Sequence, residues 1–152
     1  MVQVMELEEW LQQEVLRIYE HNSYSEYLGM EILHIRPLEA RVAMKASKEL
    51  MNILGGLHGG ALTSLADMVM GLACATAGKR IVTLGMNVNF IYAANLDAMV
   101  IGHGQVIHNG KKVLVVEFTV LDSESQRLLA QGRGTFFVIG QIQKDGGGAL
   151  AV

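Results

Sequence analysis

The 152-residue chain is 51% apolar and 18% charged, which suits one domain with one hydrophobic core and excludes a disordered segment as its main character. Its 12 Lys and Arg against 15 Asp and Glu give a formal net charge of −3, and the basic residues are dispersed, so no cationic stripe for nucleic acid or anionic lipid is present. The single cysteine, Cys74, excludes an internal disulfide framework, and the stretch from Met1 to Trp10 is acidic where a secretory signal is basic and then apolar, so a reducing, cytoplasmic setting is expected.

Leu7, Leu11, Val15 and Ile18 recur at helical spacing, which predicts an amphipathic helix over about residues 5–20. The polar and aromatic stretch His21 to Tyr27 reads as a loop. Leu28 to Ile35 and Leu38 to Ala46 read as two strands of a hairpin turning at Arg36-Pro37, since proline fits a turn and not a central strand. Met51 to Gly60 holds four glycines in ten residues, and a helix is predicted from about Ala61 to Ala77. Leu62, Leu65, Ala66, Val69 and Ala73 form its broad apolar stripe, while Gly60, Ser64, Asp67, Gly71 and Gly78 leave the opposite side small around one acid.

Beyond Gly78 the period becomes two. Val82, Leu84, Met86, Val88 and Phe90 are assigned to one face of a strand, and Thr83, Gly85, Asn87 and Asn89 to the other. Ala98 to His108 and Lys111 to Leu121 follow as strands, with Asn109-Gly110 between them as a type I′ hairpin signal. A polar turn over Asp122 to Gln126 leads to a last strand, Arg127 to Ile139. Residues 1–140 are thus expected to form a single domain, and 141–152, with three consecutive glycines, a mobile tail.

From Leu50 to Gly78 the only charged residue is Asp67, and the Gly56/Gly60 spacing imitates a membrane helix. A carboxylate near its middle, His58, the clustered glycines and the strand-like sequence that follows argue against a span and for a helix buried in protein. One helix apolar nearly all round requires a covering, and the hairpin plus a four-strand meander supplies a curved antiparallel sheet to wrap it. Such a sheet leaves open edges, so self-association as at least a dimer is expected.

The run Asn52-Ile-Leu-Gly-Gly-Leu-His58-Gly59-Gly60-Ala-Leu-Thr-Ser-Leu-Ala-Asp67 resembles the signature of the hotdog-fold thioesterases of the PaaI type. The Val-Asn-Phe-Ile-Tyr strand and the Leu-Leu-Ala-Gln-Gly-Arg-Gly-Thr-Phe strand ending at Phe136 resemble the same family, and together they span about residues 28–139. The resemblance implies an α+β hotdog fold and hydrolysis of an acyl-coenzyme A thioester. The residues carry an independent signal, because an aspartate inside an apolar helix costs several kcal/mol if buried and unpaired. A purely structural reading, in which Asp67 meets an arginine or caps a neighbouring backbone, stands beside the catalytic one.

Thioester hydrolysis requires a nucleophile, donors for the oxyanion and a slot for the acyl group. Asp67 is the candidate acid, either as general base or as nucleophile. Gly59, at a glycine-rich helix start, offers a free N–H and the positive end of the helix dipole, and the resemblance implies its use for the oxyanion. The two are eight residues, or ~12 Å, apart along one helix. The resemblance resolves this by taking the acid from a neighbouring subunit, giving two sites per dimer and allowing a dimer of dimers. It also places Asn52 where the thioester or attacking water is oriented and Thr83 where a hydroxyl holds that water, each with an ordinary turn or strand role as the alternative. His58 is read chiefly as shaping the loop, and less readily as a base. Gly60, Asn89, Lys111 and Lys112 are the candidate substrate contacts, the lysines through coenzyme A phosphates or else as a solvated turn.

His21, His34, His103 and His108 show no metal-ligand spacing, no metal and no cofactor beyond the substrate's coenzyme A is expected, and no Gly-x-Ser-x-Gly elbow is present. Two other functions suit the same fold: an acyl-CoA hydratase or dehydratase, and a non-catalytic acyl-CoA-binding regulator. One departure from the family pattern is Ala93-Ala94, where relatives often carry an Arg-Pro or similar pair after the aromatic strand.

Overall fold

A computed structural model describes residues 6–145. Two short helices, α1 (Glu9–Glu20) and α2 (Ser23–Tyr27), precede a hairpin of β1 (Met30–Arg36) and β2 (Glu39–Lys45). A single 3-10 turn, Lys48–Leu50, leads through the glycine-rich loop to the long helix α3 (Gly59–Ala75). Four strands follow: β3 (Lys79–Phe90), β4 (Met99–Asn109), β5 (Val113–Asp122) and β6 (Leu128–Gln141). All six strands form one antiparallel sheet in the order β1-β2-β4-β5-β6-β3, which wraps α3 and gives the hotdog fold.

The core lies between α3 and the inner sheet face. Leu65, Val69, Met70 and Leu72 of α3 are fully buried against Val42 and Met44 of β2, Val100 of β4, Leu114 and Val116 of β5, and Phe136 of β6. Two glycines let the sheet approach the helix. A Cβ on Gly104 would meet the Val69 carbonyl oxygen at 2.7 Å, and one on Gly102 would meet Leu65 Cγ at 3.1 Å. Only hydrogen fits at Gly104, so β4 rests directly on the backbone of α3.

The far end of α3 is fixed by Thr76, whose buried hydroxyl donates to the Ala73 carbonyl and accepts the Leu38 N–H at 2.7 Å. That bond, with Val106 N–H donating to the Leu38 carbonyl, holds Leu38 at a φ of 64° in the β1–β2 turn, a conformation uncommon outside glycine. α1 buries Val15 completely and packs Leu11 and Ile18 on the core, as the helical spacing predicts, and adds Tyr19, while Leu7 precedes the helix, which begins only at Glu9.

Four details depart from the sequence reading. The expected loop at His21 to Tyr27 contains α2, because Asn22 caps it by accepting from Tyr24 N–H and Ser25 N–H at 3.0 and 3.2 Å. The β4–β5 hairpin forms, yet its two turn residues are Lys111 and Lys112, closed by Gly110 N–H donating to the Val113 carbonyl at 3.0 Å. Neither Asn109 nor Gly110 has the positive φ of a type I′ turn. Gly110 serves instead as the residue that passes close to Val113 and His108, where a Cβ would lie 2.7 Å from each.

The third departure decides the site. In β3, Thr83 pairs with Phe136 and Gly85 with Thr135, so Leu84 is an extra residue, a β-bulge. Side chains beyond a bulge exchange faces. Ile81 and Thr83 therefore share the inner face with Met86, Val88 and Phe90, whereas Val82 lies outside with Asn87 and Asn89. The fourth concerns the tail: Gln141 still belongs to β6, and Ile142 is buried and donates its N–H to the Gly78 carbonyl. Met5 at the start of the expected first helix and residues 146–152 of the expected tail lie outside the described residues.

Candidate active site

α3 is buried from Val69 onward, while before it one flank, Gly60, Thr63, Ser64, Asp67 and Met68, stays open. Leu65, Ala66, Val69 and Met70 are at 0% exposure, while Asp67 and Met68 remain half-buried and face a cavity of about 390 Å³. The bulge brings the Thr83 hydroxyl over the acid, and Thr83 Oγ1 donates to Asp67 Oδ1 at 2.8 Å. Among the described residues no basic side chain forms an ion pair with Asp67, so the purely structural role of meeting an arginine is not what the fold provides. Among the described residues no side chain donates to the second carboxylate oxygen.

The cavity combines apolar walls, Met68, Ile81, Met86 and Phe136, with hydroxyls contributed by the N-terminal helices and α3. Ser64 Oγ donates back to the Gly60 carbonyl at 2.9 Å, so in its 2.8 Å contact with Tyr24 the tyrosine is the donor. Tyr19 donates its phenol proton to the Gly71 carbonyl at 3.2 Å. Burial first, then Cys74 and Asp67, hold that phenol above its ordinary range, which keeps it a donor. Ser25 and Asn22 complete the rim from α2. The sequence reading put Ser64 on the small side of the helix with Asp67, read Tyr24 as part of a loop, and gave Tyr19 no role. The cap at Asn22, which turns α2 toward α3, was the available signal.

The other candidates gather at the N-terminal end of α3. His58 is the N-cap, and its Nδ1 accepts the Gly60 N–H at 2.8 Å. Gly60 therefore spends its N–H on the cap, while Gly59, first in the helix, has no acceptor for its own among the described residues. Asn52 shapes the loop before it: its Oδ1 accepts from Leu54 N–H at 2.9 Å and Gly56 N–H at 3.1 Å, which is the turn role weighed from sequence. Phe90, at the end of β3, packs on Gly59, where a Cβ would lie 3.2 Å from its ring.

Asn52, His58 and Gly59 are thus one cluster, Asp67 and Thr83 a second. Gly59 does not line the Asp67 cavity, in keeping with the ~12 Å that separates them along α3. Lys111 and Lys112 are exposed at the opposite end of the molecule, beside Lys79 at the start of β3, whose Nζ donates to Asn109 Oδ1 and the Gly110 carbonyl. Asn89 is exposed on the outer sheet face, paired with Gln131. Among the described residues no group of three or more His, Cys, Asp or Glu is arranged to hold a metal ion, and no helix is long and apolar enough to cross a membrane.

Comparison with known proteins gives this arrangement a family. Residues 54–129 match the family model described as the thioesterase superfamily. Acyl-coenzyme A thioesterase PaaI of Escherichia coli is 28% identical over 123 residues, covering 81% of this chain and 87% of its own. The solved structure of that E. coli PaaI protein superposes with a TM-score of 0.84 at 26% identity, covering 90% of this chain and 98% of the other. A Streptococcus pneumoniae hypothetical thioesterase, solved with coenzyme A, superposes at 0.79 with 26% identity over 84% of this chain and 99% of its own. A conserved protein of Pseudomonas aeruginosa is 36% identical at a TM-score of 0.75, covering 81% and 98% respectively. By sequence match and by fold, this chain belongs to the thioesterase superfamily, among the PaaI-like hotdog thioesterases.

Proposed function

We propose that the chain hydrolyses acyl-coenzyme A thioesters to the free acid and coenzyme A, with Asp67 as general base. One observation carries the reading: a carboxylate in the middle of a mostly buried helix opens into a mostly apolar cavity, and its only side-chain partner among the described residues is the Thr83 hydroxyl at 2.8 Å. The kinship to acyl-coenzyme A thioesterase PaaI and to a thioesterase solved with coenzyme A supports the substrate class.

In this mechanism Thr83 fixes the carboxylate rotamer through Oδ1 and leaves Oδ2 to accept a proton from water. Water oxygen bonds to the thioester carbon as its proton moves to Asp67, and the carbonyl oxygen becomes an oxyanion. The Gly59 N–H, at the positive end of α3, stabilises that charge. Collapse breaks the C–S bond, and the proton held by Asp67 passes to the departing thiolate. His58 and Asn52 act on the geometry of the loop that presents Gly59.

Asp67 and Gly59 of one chain are too far apart for a shared carbonyl, so the site joins two copies. β3 is an edge strand with β6 on one side only, and it exposes Val82, Leu84 and Phe90. Pairing two β3 edges about a twofold axis is antiparallel, which sets the Lys79 end of one strand against the Phe90 end of the other. The same pairing carries Lys111 and Lys112 of one copy toward Gly59 of its partner, where coenzyme A phosphates would be held.

Subunit complementation tests the shared site. Asp67→Asn removes the base. Gly59→Pro removes the N–H at the first helical position, where the backbone suits proline, and circular dichroism checks that the fold accepts its ring beside Phe90. Each variant alone is expected to release almost no thiol from acyl-coenzyme A substrates. Random reassociation of the two makes half the dimers mixed, each with one intact site of two, so about a quarter of wild-type activity returns. Absence of recovery in verified mixed dimers would place both groups in one chain and refute the shared site.

A further inference from the structure

Among the three glycines of α3, Gly71 is the one at which an added Cβ would meet only ordinary contacts. It is buried in the interior of a helix, four residues and so ~6 Å beyond Asp67 on the same face. Glycine is the poorest helix former apart from proline, and its φ here is not positive, so the backbone does not call for it. Packing does not call for it either. A Cβ at Gly71 would meet Ile81 Cδ1 and Tyr19 Oη each at 3.7 Å, ordinary contact distances, in contrast to Gly104, where a backbone atom stands at 2.7 Å. The site has room for one methyl in ordinary contact with Ile81 and Tyr19, and it borders the Asp67 cavity, whose lining includes Gly71, Tyr19 and Ile81. Tyr19 lies across that end, tied to the Gly71 carbonyl at 3.2 Å.

We propose that Gly71 is a specificity-determining residue: it leaves the far end of the acyl slot open, and Tyr19 of α1 forms the floor that limits the length of acyl group accepted. The inference rests on the acyl-coenzyme A reading above. In it the thioester carbon sits at Asp67 and the acyl tail runs along the helix face toward Gly71, with Ile81, Met86 and Phe136 as apolar walls. A tail whose last carbon rests on the Gly71 Cα would be pushed back by a methyl group at position 71.

The test measures binding of thioether analogues of acyl-coenzyme A, which cannot be hydrolysed, across a series of tail lengths by titration calorimetry. For Gly71→Ala the affinity ratio of the longest tail the wild type accepts to a tail one carbon shorter should fall about fourfold, the worth of one buried methylene. The melting temperature should equal or exceed that of the wild type, since alanine favours the helix. Tyr19→Ala should shift the same ratio the other way and admit longer tails, while Tyr19→Phe, which keeps the ring, should leave it in place. An unchanged length profile in both Gly71→Ala and Tyr19→Ala, with wild-type binding intact, overturns this inference alone. Failure of the wild type to bind any analogue overturns the acyl-coenzyme A reading, and this inference falls with it.

Discussion

The close seating of β4 on α3 predicts a large asymmetry between two glycine-to-alanine substitutions. At Gly104 an added Cβ stands 2.7 Å from the Val69 carbonyl oxygen, 3.1 Å from its carbonyl carbon and 3.3 Å from Met70 N, all of them backbone atoms that cannot rotate aside. Restoring an ordinary contact of 3.4 Å requires strand and helix to part by about 0.7 Å across a core whose facing residues are fully buried. Overpacking of this kind costs about 1–3 kcal/mol, or a fall in melting temperature of roughly 2–12 °C for a domain of this size. Gly85, also on a strand, has nothing within 4 Å of its Cβ position, so Gly85→Ala should stay within about 0.5 kcal/mol of wild type. Urea titration of both variants, followed by circular dichroism, measures the difference. Equal midpoints would refute the claim that the backbone of α3 rests on β4.

Thr83→Val keeps the side-chain shape and removes the bond to Asp67; a hydrogen bond to a charged group contributes about 1.5–3 kcal/mol, so turnover should fall roughly 10- to 150-fold with the fold unchanged by circular dichroism. His34 is held below its ordinary range by burial and by Arg36, His103 and Arg41, against the opposing pull of Glu39. The unfolded chain therefore takes up the proton first: His34 contributes stability in full above about pH 6.5 and loses it as pH falls toward the lower folded value. Thermal melts from pH 7.5 down to 5 should show that decline, and His34→Gln should flatten it.

Much of the architecture was legible because most of it rests on one pattern. The central helix, the hairpin before it and the four strands after it follow from apolar periodicity and glycine or proline punctuation. Asp67 was legible for the opposite reason, as the residue that violates its surroundings. What escaped was the local accounting of backbone groups. The bulge at Leu84 was hidden because Val82, Leu84 and Met86 continue an unbroken alternation, although Val82 and Leu84 are 40% and 60% exposed on an edge strand while Met86 faces the helix. That one extra residue moves Thr83 from the outer face to the acid, so an alternation count alone separates the two residues that the fold joins. At Asn109-Gly110 the dipeptide preference was overridden by register, which moved the turn to the two lysines. In α2 the capping side chain preceded too few residues for any helical period to show.

In the proposed mechanism the Asp67 carboxylate takes the proton from the attacking water. The most direct test of that role is coenzyme A release, followed with a thiol reagent over a panel of acyl-coenzyme A substrates, for wild type and Asp67→Asn side by side. The substitution keeps the volume and the hydrogen bond accepted from Thr83 while removing the base, so the variant should fold as the wild type does and lose at least ~100-fold in turnover on every substrate the wild type cleaves. A folded Asp67→Asn protein that releases thiol at the wild-type rate would contradict the account.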